Sequence, residues 1–403
     1  MDREAWLEKL FALERKGIKL GLEPTRQLLE RCGNPQRAFK SIQIAGTNGK
    51  GSTAAMAAAI LQQHGQRTGL YTSPHLLRFN ERIRVDGQTV PDDYLVDWMA
   101  RHNGDIESLS TTFFEATTAM ALCYFRDQGV AWALLETGLG GRLDAVTAAE
   151  SAWTALSPIA MDHVDILGPT LADIAYEKTA IMRPGVPCIV APQQQEAQVV
   201  IRRQAEKSGA RLRFLTAEPI APAPRHLQGS HQQGNANLAW ALAADALGSS
   251  FAAGTARAAL ETVRWPGRYQ RLADRPAVIY DVAHNLHGMT AVLETLKGEP
   301  VSGRRWAVLA LQEDKGSADI LDLLTPAFDH LIVTETGIRH FLPAGKLAAS
   351  AAALHPGVEL EPDPGRAIQK ALEQAAAEDL IAILGSHYLG PAVAAFFKIS
   401  FDI

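Results

Sequence analysis

The 403-residue chain carries three cysteines, Cys32, Cys123 and Cys188, far apart and without a Cys-x-x-Cys pair. Such spacing offers neither a disulfide framework nor a zinc knuckle. Basic excess is also missing: 39 Lys and Arg against 44 Asp and Glu leave a net charge of −5, so no general positive field awaits nucleic acid. No apolar run approaches the length of a membrane span, and the charged start Met1-Asp2-Arg3-Glu4-Ala5-Trp6 lacks the apolar stretch of a secretion signal. Neither nucleic acid nor a membrane is expected as a partner, and a reduced, cytoplasmic protein is. What is present is apolar. With 47% hydrophobic and 21% charged residues the chain suits a globular protein with ample core, and its length suits two domains.

Apolar, β-branched runs alternate with alanine- and leucine-rich stretches. The runs predict buried strands at 42–45, 130–136, 153–157, 188–191, 278–281, 306–311, 331–334 and 380–384, and the stretches predict helices at 117–128 and 235–247, among others. This alternation predicts an α/β protein with mostly parallel sheets and helices on both faces. Proline-rich 217–224 reads as a surface loop, and Trp265-Pro266-Gly267-Arg268 as a boundary. The expectation is a nucleotide-binding domain over 1–265, a linker at 266–270 and a smaller Rossmann-like α/β domain over 271–403.

The most informative stretch is Gly46-Thr47-Asn48-Gly49-Lys50-Gly51-Ser52. It follows a predicted strand and precedes a strong helix former. Glycines let backbone N–H groups converge on an anion, a helix N-terminus adds positive potential, and Lys50 supplies a mobile cation. Gly51 separates Lys50 from Ser52, so the pattern departs from the usual GxxxxGK[ST] loop. It reads as a phosphate cradle of a different type.

Other clusters fall where strands end, the edge at which open α/β sheets place ligands. Glu136 closes one predicted strand and opens the glycine-rich run to Asp144; beside phosphates it suits a hard cation. Asp162-His163-Val164-Asp165 follows the next strand, and imidazole beside carboxylates suits a second divalent cation. Residues 173–181 read as a helix in which Lys178, taken alone, is a solvated lysine. Asp281, His284 and Asn285 gather at the end of a later strand, where Asn285 also suits a helix N-cap.

Together these residues resemble a known family. The phosphate loop, Tyr71-Thr72-Ser73-Pro74-His75-Leu76, and Glu136-Thr137-Gly138-Leu139-Gly140-Gly141-Arg142-Leu143-Asp144 are similar to the folylpolyglutamate synthase and dihydrofolate synthase proteins of the Mur ligase superfamily. The likeness continues in order through Asp162-His163, Glu177-Lys178, His231 to Ala236, Pro266-Gly267-Arg268, Asp281 to Asn285 and Gly385-Ser386-His387-Tyr388-Leu389.

The resemblance implies an ATP-dependent amide ligase that joins L-glutamate to 7,8-dihydropteroate and to reduced folates. Lys50 and the loop residues Gly46, Thr47, Asn48, Gly49, Gly51 and Ser52 would hold ATP, with Asn235, Arg268 and Asp281. Ser73 and Glu136 would bind one Mg²⁺; His163 and a carbamylated Lys178 would serve a second. His284 would lie in the cleft as a catalytic group with Lys50, Lys178 and His163. Arg82, Phe114, Asp144 and Ala145 would surround the pterin, and a monomer is expected. This sequence departs from the family pattern at Val282, Val146-Thr147, Thr179-Ala180 and His387. Two alternatives are a ligase acting on folates alone and an ATP-binding module without ligase activity.

Overall fold

Two sheets organise the chain in this computed structural model, which describes residues 3–13, 21–313, 315–337 and 341–403. The first contains β1 (Lys40–Ala45), β2 (Thr68–Tyr71), β3 (Ile83–Val85), β4 (Gln88–Thr89), β5 (Trp132–Glu136), β6 (Trp153–Leu156), β7 (Pro187–Val190) and β8 (Arg211–Phe214), in the spatial order β4-β3-β2-β5-β1-β6-β7-β8. All neighbours are parallel except at β3, which runs antiparallel to β2 and β4. The second contains β9 (Gln270–Asp274), β10 (Ala277–Tyr280), β11 (Arg305–Leu309), β12 (His330–Val333), β13 (Val358–Leu360) and β14 (Leu380–Leu384), in the order β13-β12-β11-β14-β10-β9. Only β9 is antiparallel there, and it starts at Gln270, inside the expected linker.

All eight sequence-predicted strands are present, within about two residues at each end. Six were not anticipated. β3, β4 and β13 have only three, two and three residues. β2 is a four-residue Thr-Gly-Leu-Tyr stretch, while β8 and β9 carry arginines and lie at sheet edges, where charge is tolerated. Central strands such as β5 and β14 are buried on every residue, which is why they stand out as apolar runs.

Register places the ligand edge. β1 pairs with β5 so that Ile44 lies opposite Glu136, and with β6 so that Ala45 lies opposite Leu156. The loops leaving β1, β5 and β6 therefore emerge side by side. The helix Lys50–Gln63 after β1 is so rich in alanine that the helix Ser230–Leu247 packs closely on it, along a shared core with Ile60, Leu61 and Leu242. That packing brings Asn235 against the phosphate loop: a Cβ on Gly49 would run into the Asn235 amide. Among the described residues no helix is long and apolar enough to cross a membrane.

Candidate active site

The loop after β1 carries the anion-binding geometry. Gly46 and Gly49 sit at φ +143° and +85°, where a side chain is disfavoured. A Cβ on Gly46 would also collide with the Ser157 side chain and lie 2.9 Å from its carbonyl. Thr47 ties the loop to the end of β6: its N–H donates to Pro158 O at 2.9 Å and its hydroxyl to Ala160 O at 3.0 Å. Lys50 folds back, Nζ donating to Thr47 O at 3.1 Å and standing 3.9 Å from Glu136. Ser52 Oγ is buried with no hydrogen-bond partner, as expected of a group that meets a phosphate or a metal.

Glu136 is buried at the end of β5 and accepts from Ser73 N–H at 3.1 Å. Burial pushes its pKa up; Lys50 and that N–H pull the other way. Lys178 overturns the isolated reading of a solvated helix lysine. It lies on the inner face of the helix Leu171–Thr179, 5% exposed, with Nζ donating to Gly46 O at 2.9 Å. Burial, reinforced by Lys50, lowers its pKa to about 7. An amine in that position is largely neutral at physiological pH and thus nucleophilic.

From the second sheet, His284, Asn285 and His287 reach across. Asn285 is the N-cap of the helix Leu286–Lys297, its Oδ1 accepting from Gly288 N–H at 2.8 Å, and it has a second task. It exchanges hydrogen bonds with Asn48 at 3.0 and 3.1 Å and donates to Asp162 at 2.8 Å. The Asn48 amide also meets His287 Nδ1 at 2.9 Å, so its side chain bridges the domains. Asp281 spends both carboxylate oxygens on the local turn, accepting from Tyr269 N–H at 2.8 Å and Ala283 N–H at 2.7 Å. His284 Nδ1 lies 2.9 Å from Val282 O, and burial lowers its pKa.

His163 is the N-cap of the short helix Val164–Leu167, in the left-handed region at φ +52°. Its Nε2 lies 3.1 Å from Lys315 Nζ, which in turn donates to Asp162 at 2.7 Å. Burial acts to raise the Asp162 pKa, but its neighbours His163, Lys315 and His284 outweigh it and hold the carboxyl well below the usual range. Lys315 went unnoticed in the sequence, where it reads as a surface-turn residue before Gly316. Its side chain is only 1% exposed. Removing one partner of such a pair leaves a buried charge alone. Lys315→Met should therefore cost about 3–5 kcal/mol of stability by chemical denaturation, and adding Asp162→Asn should recover part of it. Wild-type stability in Lys315→Met would show that the pair does not brace the two domains.

These groups line two adjoining cavities. The larger, of about 540 Å³, is walled by residues 46–52, Glu136, His163, Lys178, Asn235, Arg268, Asp281 and His284. The smaller, of about 400 Å³, is walled by Arg82, Phe114, Asp144 and Ala145, with Thr112, Glu115 and Arg142. Ser73, Pro74, Gly138 and Leu139 belong to both. Sequence-predicted site residues thus line two neighbouring cavities with a shared border. Asp144 holds its own loop, accepting from Leu139 N–H at 2.8 Å and Val146 N–H at 3.0 Å, and burial raises its pKa to about 6. Glu115 was missed. Its Oε2 accepts from Thr112 N–H at 2.6 Å in a capping box, while Oε1 is buried without a partner. Among the described residues no three His, Cys, Asp or Glu side chains form a ready metal cage.

A phosphate cradle facing a second α/β domain across a cleft defines a Mur-type ligase, an enzyme that forms carbon–nitrogen bonds, and residues 267–387 match the family described as Mur ligase, glutamate ligase domain. A dihydrofolate synthase/folylpolyglutamate synthase of Bacillus subtilis is 35% identical over 350 residues, covering 78% of this chain and 80% of that protein. Escherichia coli FolC, solved with DHPP and ADP, superposes with a TM-score of 0.90 at 30% identity, covering 99% of this chain and 98% of that one. A bifunctional folylpolyglutamate synthase/dihydrofolate synthase solved with Mn, AMPPNP and L-glutamate gives 0.88 at 30% identity, covering 99% and 98%. The chain belongs to the dihydrofolate synthase/folylpolyglutamate synthase family.

Proposed function

We propose that this ligase uses ATP and two Mg²⁺ ions to join L-glutamate to 7,8-dihydropteroate and to reduced folates through an acyl phosphate. The observation that carries the reading is that two cavities adjoin, one lined by the phosphate loop and the other by Phe114, Asp144 and Ala145, with Ser73 lining both. A flat bicyclic ring fits the smaller cavity beside Phe114. The unpaired Glu115 oxygen would accept from the ring's amine or N–H groups.

A carboxylate condenses with an amine only after its oxygen becomes a good leaving group, which phosphorylation by ATP provides. The donor set fits the cation. Mg²⁺ keeps several waters and takes one or two carboxylates with phosphate oxygens, so Glu136, with the hydroxyls of Ser52 and Ser73, suffices for one site. His163 and Lys178 as a carbamate would hold the other. When bound, the metals neutralise charge on the transferring phosphoryl group. Lys50 and Arg268 add fixed positive charge to the same groups. His284, kept neutral by burial, is suited to orient the incoming amine or take its proton. Closure over the cleft would align the reactants and exclude water.

Action as a monomer belongs to the same reading. All three cysteines are buried free thiols, in keeping with a reducing cytoplasm. The test is the mass of the products formed with ATP, Mg²⁺ and L-glutamate from dihydropteroate and, separately, from tetrahydrofolate. A product one glutamyl residue heavier in both assays supports the reading. The gain with tetrahydrofolate alone would make the enzyme a folate-only ligase, and ATP hydrolysis indifferent to both would overturn ligation.

A further inference from the structure

Lys178 and Glu177 are consecutive on one helix, yet they face different cavities: Lys178 the phosphate-loop cavity, Glu177 the smaller one. The wall between them is the helix Leu171–Thr179 with the glycine-rich loop laid on its last turn. A helix end frees its final carbonyls, and three of them here have partners that can be named. Tyr176 O takes the Thr179 hydroxyl at 2.9 Å, Thr179 O takes Met182 N–H at 3.0 Å, and Glu177 O takes Arg142 N–H at 3.0 Å. The Arg142 side chain returns to the same residue, Nε donating to Glu177 Oε1 at 2.9 Å. Contact this close requires Gly141, where a Cβ would lie 2.9 Å from Glu177 O and 3.0 Å from Lys178 O.

We propose that Arg142 and Glu177 form a strut that sets the position of the Lys178 amine, making Arg142 a positioning residue for the ligase reaction. The strut is joined at backbone and side chain, and it grips the residue next to the lysine. An isolated surface ion pair contributes little, and the Arg142 side chain is 45% exposed, so its consequence is geometric rather than a matter of global stability. Because Arg142 and Glu177 also line the cavity assigned to the pterin, the same contact ties the shape of that cavity to the lysine on its far side. The kinetic part rests on the ligase reading; the positional part does not.

The experiment pairs trace amine labelling with kinetics, in buffer depleted of carbon dioxide for the labelling. Lys178 modification is read by mass spectrometry relative to exposed Lys207. In Arg142→Met the relative labelling of Lys178 should rise at least about fivefold, as a loosened turn exposes the amine. Turnover should fall about 10- to 100-fold, as misplacement of a reacting group does, with the KM for ATP within about twofold. Arg142→Lys should restore part of both. Glu177→Gln, which keeps the helix and side-chain volume, should shift both in the same direction and guards against a misfolded Arg142→Met. Unchanged labelling in both Arg142→Met and Glu177→Gln overturns the strut, whatever the kinetics. Unchanged labelling with only a raised KM for the pterin substrate would make Arg142 a substrate contact instead. A wild-type enzyme that forms no amide would remove the ligase reading and leave the labelling to decide the strut.

Discussion

Lys178→Ala should lower the rate of amide formation by about three orders of magnitude with the fold intact, and added acetate or formate should return part of it. The reason lies in the environment. Lys178 is buried against Gly46 O and near Lys50, which brings its pKa to about 7 from an ordinary 10.5. At pH 7.5 most of the side chain is therefore free amine, against roughly one part in a thousand for an unshifted lysine. Free amine is the form that captures carbon dioxide, and a carbamate converts the cation into a carboxylate-like anion suited to a metal. A small carboxylate diffusing into the space left by alanine would imitate that anion; Lys178→Met, which fills the space, should not be rescued. Full activity in Lys178→Ala would remove the lysine from the mechanism.

The same shift has a stability consequence of definite sign. The folded-state pKa lies below the unfolded one, so between about pH 7 and 10.5 the unfolded chain binds more protons than the folded chain. Stability from this residue is lowest below pH 7 and rises as pH climbs through that window. Lys178→Met should lose that rise when denaturation midpoints of the two proteins are compared from pH 7 to 10. An identical pH slope in both would show that the amine is not buried as described.

Lys50→Met and Glu136→Gln should each cost about 10²- to 10³-fold in turnover, and they should part company on stability. Glu136 is a buried carboxyl whose pKa is pushed up by burial, so its charge is held at a cost in folding. Glu136→Gln keeps the shape and removes that cost, and its melting temperature should match or exceed wild type, a stability–activity trade common at active sites. Lys50→Met should melt near wild type. Lys50→Arg should not recover activity, because a planar fork does not replace a point charge beside Thr47 O and Glu136. Melting scans and steady-state rates on purified variants check both. A Glu136→Gln enzyme that melts early yet turns over normally would make the carboxylate structural.

Whether a residue's role is legible in the sequence follows from what that residue contacts. Residues placed by a strand end or a local motif were readable: the phosphate loop behind β1, Glu136 at the end of β5, and Asn285 as an N-cap. Their surroundings are set within a few residues of chain. Short and edge strands were not, because β3, β4 and β13 are too brief for a periodic signal and β8 and β9 carry charge at an edge. Lys315 was missed since its partners Asp162 and His163 lie 153 and 152 residues away, and nothing local marks it. Glu115 was half visible. Thr112 and Glu115 spell a capping box, yet only the cavity shows that one oxygen is left over. Lys178 reads in isolation as a surface lysine, whereas the structure buries it with Ile174 and Ala175 on the inner face of its helix.

The central claim is that the pterin substrate's carboxylate is activated by phosphorylation before glutamate attacks. Its most direct test is oxygen transfer, with dihydropteroate labelled by ¹⁸O in its carboxylate incubated with the enzyme, ATP, Mg²⁺ and L-glutamate. Each amide formed should release one phosphate carrying one ¹⁸O, and neither product should appear without glutamate and ATP together. Amide formation with unlabelled phosphate, or phosphate release that leaves the carboxylate label untouched, would contradict it.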